Sequence, residues 1–250
     1  MPTQRERELA RARSRRQAAR RAAAARRRRT ITYVVSGVLV LAIAGTVIGL
    51  VATSGGGSGG NSANACGAKT PPAPKKQTFA KEPAITIDTK ASYVMKIDTS
   101  CGEIDVTMNA AKTPHTVNSF SFLASKQFFD GTKFHRLVQS AGLTVLQGGD
   151  PTGTGSGGPG YTIPDENLTG AKYDRGTVAM ANTGQAHSGG SQFFLVDKAS
   201  QLGATYTPFG TITKGMDVLD KLIAIGNDGA NGSGDGAPLK TIYINTLTVA

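Results

Sequence analysis

Several short strings in this chain carry side chains capable of chemistry, and most of them fail on their surroundings. Gly56-Gly57-Ser58-Gly59-Gly60 fits the G-x-S-x-G pattern of a serine nucleophile. That serine needs a strand before it and a helix after it, and here it sits inside a Gly/Ser run. Gly153 to Gly158 fits the G-x-G-x-x-G phosphate cradle, which must open a helix. Pro159, Gly160 and Pro164 follow instead, so a glycine-rich surface loop is expected. His115, His135 and His187 are scattered, and neither they nor the two cysteines stand at a metal-ligand spacing. Ser191, His135 and Asp150 can be drawn as a hydrolase trio, but any chain of this length offers such trios. Neither a metal nor a cofactor is implied.

What remains is a series of strings in a fixed order. They are Phe134-His135-Arg136, Gln147-Gly148-Gly149-Asp150, Pro164-Asp165-Glu166-Asn167, Met180-Ala181-Asn182, Gly190-Ser191-Gln192-Phe193-Phe194 and Pro208-Phe209-Gly210. Together with the run from Pro114 to Phe120, they resemble the cyclophilin-type peptidyl-prolyl cis-trans isomerases over about Ala91 to Ala250, in a bacterial, membrane-anchored form. The resemblance implies an eight-stranded closed antiparallel β-barrel capped by two helices, with a shallow groove on its outer face. It also implies isomerisation of X-Pro bonds, a reaction slowed by a barrier of about 18–20 kcal/mol because rotation breaks amide resonance.

Neither a nucleophile nor a metal is needed to lower that barrier. A cation that hydrogen-bonds the prolyl nitrogen as its lone pair localises stabilises the twisted amide more than either planar form. By resemblance Arg136 holds this role, and a permanently charged, rigid fork of donors suits it. Gln147 would bond the substrate backbone and help to position Arg136. Asn182 would offer main-chain groups, Ala181 the floor and Gln192 a continuing polar edge. Phe194 and Leu202 would wall the proline pocket, and the Tyr206 hydroxyl would reach the substrate carbonyl. His135 is read as structural.

Departures from the family pattern affect the apolar side of this groove. Three extra residues separate Arg136 from Gln147. Thr144-Val145 stands where Phe-Met is usual, leaving Val145 as a smaller wall. Gln201 occupies about the place of the family's Trp, which implies poor cyclosporin sensitivity. The expected partners are proline-containing polypeptides. The competing reading is a proline-peptide binding or chaperone module of low turnover.

The elements that must position these residues are legible as patterns. Tyr93 to Asp98 and Glu103 to Met108 alternate apolar and polar residues around Thr99 to Gly102, which predicts a β-hairpin. Thr113-Pro114 opens a helix, with Thr as N-cap and Pro at its first position. Strands are expected within Phe134–Leu146 and over Thr177–Met180, Ser191–Val196 and Thr241–Val249, with a second helix over Lys214–Ala224. Many short strands, two helices and no βαβ alternation favour an antiparallel barrel.

The net charge of +11 belongs to the tail. Twelve arginines against two glutamates before Leu50 give it +10, so the remainder is nearly neutral. Nucleic acid is therefore not an expected partner of the folded domain. Residues 1–30 read as a basic cytoplasmic arm. Residues 31–53 are uncharged and long enough to span a bilayer, and Arg26 to Arg29 before them favour an extracytoplasmic C-terminal domain in the cell membrane. Residues 54–90 read as a Gly/Ser- and Pro-rich linker and arm, and 91–250 as the isomerase domain, expected to be monomeric. Cys66 and Cys101 either pair in an oxidising compartment or remain two small apolar residues.

Overall fold

Alternation builds the first hairpin. β1 (Tyr93–Thr99) and β2 (Gly102–Met108) pair antiparallel from Tyr93↔Met108 to Thr99↔Gly102. Met95, Ile97, Ile104 and Val106 turn inward with no exposure. The structure, a computed structural model, describes residues 64–198 and 202–250. The basic arm, the apolar stretch 31–53, most of the Gly/Ser run and Gln201 lie outside the described residues. Among those described, no helix is long and apolar enough to cross a membrane.

The remaining strands are β3 (Lys133–Phe134), β4 (Arg136–Ser140), β5 (Leu143–Gly148), β6 (Thr177–Met180), β7 (Phe193–Lys198), β8 (Pro208–Lys214), β9 (Asp235–Gly236) and β10 (Ile242–Val249). They form one antiparallel sheet in the order β3-β10-β1-β2-β8-β6-β7-β5-β4-β9. This is a curled sheet of ten strands where eight were expected, and β3 and β9 are the two-residue additions. β3 bonds to β10 and β4 to β5, with only His135 between them. β3 at one margin and β4 beside the other are thus consecutive in the chain, but no ladder among the described residues joins β3 to β9, so the sheet is curled and not the closed barrel expected. A core of Phe120, Phe129, Phe193 and Phe209 fills the curl, with ring centroids 4.8 to 6.3 Å apart.

Two helices close the core. α1 (Pro114–Ser125) begins with proline at its first turn, but Thr113 does not cap it. The Thr113 hydroxyl donates to the Asn109 carbonyl instead. The cap comes from Glu166, whose carboxylate accepts from His115 N (3.0 Å), Thr116 N (2.9 Å) and Thr116 Oγ1 (2.8 Å). Two of the orphan amides of the first turn are thus satisfied by a residue fifty positions away. α2 (Met216–Ile223) buries Val218, Leu219, Leu222 and Ile223.

Residues 68–92 form no helix or strand, yet they are docked along α1. Phe79 donates from its backbone to Pro159 O (2.7 Å), and its ring meets Phe122 edge-on at 4.9 Å. The buried Asn118 side chain donates to Pro83 O and Ala84 O and accepts from Thr86 N. A disulfide joins Cys66, at the start of this arm, to Cys101 in the loop of the first hairpin.

Candidate active site

The β4–β5 hairpin sets Arg136 opposite Gln147 and Val138 opposite Val145. The strand period of two then separates the sheet into faces. Leu137, Leu146, Leu195 and Val178 point into the main core. Arg136, Gln147, Val145, Phe194 and Ala179 share the other face, with Gln147↔Phe194 and Ala179↔Phe194 in register. The extra residues between Arg136 and Gln147 lengthen this hairpin, whose turn lies past Ser140↔Leu143, at the far end from Arg136.

Arg136 lies half-buried beside a carboxylate that sequence reasoning did not pick out. Its Nε donates to Asp235 Oδ1 (2.7 Å) and its Nη2 to Asp235 Oδ2 (2.5 Å). The two side chains are 11% and 8% exposed, so water screens the pair only weakly. Asp235 stands on β9, which pairs with β4 through Val138↔Asp235 and Leu137↔Gly236. The one sequence signal was a lone carboxylate within a run of glycines, Gly232 to Gly236.

Gln147 is buried, and its amide orientation follows from its neighbours. Gly155 O and Gly157 O each accept from Gln192 Nε2 at 2.9 Å, which turns Gln192 Oε1 the other way. That oxygen accepts from Gln147 Nε2 at 3.0 Å. Gln147 Oε1 is left as a buried acceptor with no partner, an arrangement that normally requires explanation. Behind Gln192, the Asp150 carboxylate organises the glycine loop by accepting from Thr152 N and Oγ1, Thr154 N, Gly155 N and Gly157 N. Burial disfavours its charge, but the bonds from Thr152, Gly157 and Gly155 prevail and hold its pKa below the ordinary value. The G-x-G-x-x-G run is thus a loop folded around its own aspartate.

The apolar members are more enclosed than an open pocket wall would be. Val145 and Phe194 have no exposure, Ala181 has 6% and Tyr206 has 3%. The Phe194 ring stands edge-on to Tyr206 at 5.5 Å, and Tyr206 likewise to Tyr173 at 6.2 Å. Burial raises the Tyr206 pKa, Tyr173 adds to this, and the nearby Arg136 charge works against it. Ala181 N donates to Gln192 O, which ties the floor to the polar row. Asn182 does not join that row. Its side chain donates to Thr205 O and accepts from Gly184 N. Leu202 is half-exposed.

His135 lies behind the site. Both ring nitrogens are buried without partners. Burial lowers its pKa to about 4, with Asp150 opposing and Arg136 and Lys133 adding to the fall. A neutral ring with nothing to exchange protons with is a packing group.

Comparison with known proteins places this geometry. Residues 94–249 match the sequence model of the family described as cyclophilin type peptidyl-prolyl cis-trans isomerase/CLD. A probable peptidyl-prolyl cis-trans isomerase B of Mycobacterium leprae is 43% identical over 170 residues, 63% of this chain and 57% of the relative. A peptidyl-prolyl cis-trans isomerase of Helicobacter pylori is 42% identical over 138 residues, 53% of this chain and 81% of the relative. The chain spans a little over half the length of the Mycobacterium leprae relative and of the probable isomerase B of Mycobacterium tuberculosis. Among solved structures, a Cryptosporidium parvum cyclophilin-type isomerase crystallised in the presence of the dipeptide Ala-Pro is similar, with a TM-score of 0.56 and 29% identity. It is matched over 63% of this chain and 98% of its own.

Proposed function

The chain belongs to the cyclophilin-type peptidyl-prolyl cis-trans isomerase family, and from that premise we propose that it isomerises X-Pro bonds in polypeptides with Arg136 as the catalytic residue. The observation that carries this reading is the arrangement on one sheet face. A fixed guanidinium and two linked amides border an apolar patch of Val145, Ala179, Phe194 and Tyr206. An X-Pro segment has matching parts: an apolar ring, a nitrogen that turns basic as the amide twists, and flanking peptide groups. Arg136 donates to that nitrogen in the twisted state. This interaction has no equivalent in the planar amide, so it accelerates the reaction rather than merely tightening binding.

Gln147 bonds the substrate backbone once its amide, whose Oε1 is buried without a partner in the free protein, turns toward the groove. Until then Gln192 holds that amide in orientation. Ala181 and the main chain of Asn182 line the course of the peptide, Phe194 and Leu202 meet the proline ring, and Tyr206 closes the far side. Residues 31–53 anchor the domain in the membrane, and the clients are exported polypeptides. The uncharged stretch, the preceding arginines and a disulfide suited to an oxidising compartment support this placement. The domain acts as a monomer.

A second reading is favoured by one specific observation. Phe194, read as a wall of the proline pocket, is fully enclosed, so the groove could hold proline segments with little turnover. Exchange NMR on an X-Pro peptide with the full chain separates the two. Isomerisation is expected to be catalysed and to fall on the order of 10²-fold in Arg136→Ala, as when a single transition-state donor is removed. Peptide binding without rate enhancement, or a rate indifferent to Arg136→Ala, would refute the isomerase reading.

A further inference from the structure

We infer that Asp235 is a positioning residue for Arg136, and that the glycine-rich segment 225–240 exists in this domain to deliver it. The inference rests on the isomerase reading above and goes beyond it by assigning a role to a residue outside the family strings.

A guanidinium on a flexible stem can stabilise a twisted amide only if its plane is fixed before the amide twists. Among the described residues of the site, Asp235 engages that plane along a full edge. Both carboxylate oxygens are used, one on Nε and one on Nη2. Two parallel bonds fix direction as well as distance, which a single contact cannot do. The opposite edge of the guanidinium is thereby turned away from Asp235.

The delivery of Asp235 is itself built. Gln139 N donates to Gly234 O at 2.6 Å, which docks the loop on β4. Asn231 N donates to Asp235 O at 3.0 Å and Asp235 N to Gly232 O at 3.0 Å, which closes the turn. The Asp228 carboxylate accepts from Ala230 N (3.0 Å) and Ala237 N (2.9 Å), pinning both limbs of the loop. The residues beside Asp235 are held to glycine by space. Gly234 has φ +77°, and a Cβ there would run into Gln139 O. A Cβ on Gly236 would run into Asp228 Oδ1. An exposed connector needs none of this, and loops that carry specific backbone requirements commonly carry function.

The test uses the full chain with Asp235→Asn, Asp235→Ala and Asp235→Glu, alone and combined with Arg136→Lys. Asn keeps the shape of Asp and removes the charge-assisted pair. Its kcat/KM for an X-Pro peptide is expected to fall on the order of 10- to 100-fold, the usual effect of a misaligned catalytic group. The fall should lie in kcat with KM nearly unchanged, and Asp235→Glu should recover part of it. Arg136→Lys should cost much less in the Asp235→Asn background than in the parent, because the two-bond pair with Asp235 is already lost there. The Arg136 Nε–Hε signal in ¹⁵N spectra should be resolved and slow to exchange in the parent and lost among the other arginines in Asp235→Asn. Full kcat in a folded Asp235→Asn protein, or additive costs in the double variant, would overturn the assignment. An inactive parent chain would instead remove the isomerase reading, and the assignment with it.

Discussion

Removing the Cys66–Cys101 cross-link should cost this domain about 3 kcal/mol, an unfolded-state effect partly offset by relief in the native state. The two cysteines are 35 residues apart, and the loop-closure relation for that length gives about 4 kcal/mol at 25 °C. A native-state correction runs the other way. Cys66 is held at φ 51°, in the left-handed region, which costs a non-glycine residue about 1 kcal/mol. Release would recover that share. Little else should change in the folded protein. Cys66 is exposed and Cys101 only half-buried, so Cys→Ser at both sites buries almost no new polar surface. The arm also keeps its other attachments, including Ala65 N to Thr241 O at 2.8 Å and the bonds of Asn118.

Urea titration of the double Cys→Ser variant against the oxidised parent measures this directly. With no tryptophan in the chain, circular dichroism and tyrosine fluorescence are the probes. A second signature separates an unfolded-state effect from a native one. A cross-linked denatured chain exposes less surface, so m should rise when the link is removed. A variant within about 1 kcal/mol of the parent would refute the chain-entropy argument, given typical effects of about 2–4 kcal/mol. A larger loss with unchanged m would place the effect in the native arm instead.

Two further perturbations follow from the same geometry. Glu166→Ala strips three donors of their acceptor at the start of α1 and should cost about 2–3 kcal/mol, with faster amide exchange at His115 and Thr116 as the local readout. Unchanged exchange there would refute the capping role. His135 has a folded pKa of about 4 against an ordinary 6.5, so the unfolded chain binds the extra proton between those values. The stability it contributes is present above about pH 6.5 and lost as pH falls toward 4. The total is about 3 kcal/mol. His135→Leu should flatten that stretch of the stability–pH curve, and an equal slope in the variant would exclude His135 as its source.

How much of this was legible in the sequence depended on the range of the interaction that carries each feature. The first hairpin, α1, α2 and β10 follow from alternation or helical spacing within a dozen residues, and they form close to where the pattern puts them. β8 went unread as a strand, its Pro208-Phe209-Gly210 being noted only as a string and Lys214 taken as the start of a helix, because Thr211 to Lys214 carries little apolar signal. It is held by its neighbours β2 and β6. The cap of α1 was assigned to the nearest hydroxyl, since local sequence cannot show that a carboxylate fifty residues away takes the same place. The polar row was more accessible. Arg136, Gln147 and Gln192 lie within strings whose order marks a family, so resemblance named them before geometry did. Asp235 lies in no such string. Its pairing spans 99 residues, and nothing in a run of glycines and small polar residues says which strand the loop will reach. In the proposed mechanism the donor group lies in a local string, while the carboxylate it pairs with lies in a loop 99 residues away. A comparison that transfers only the strings would carry over Arg136 without the carboxylate that it pairs with.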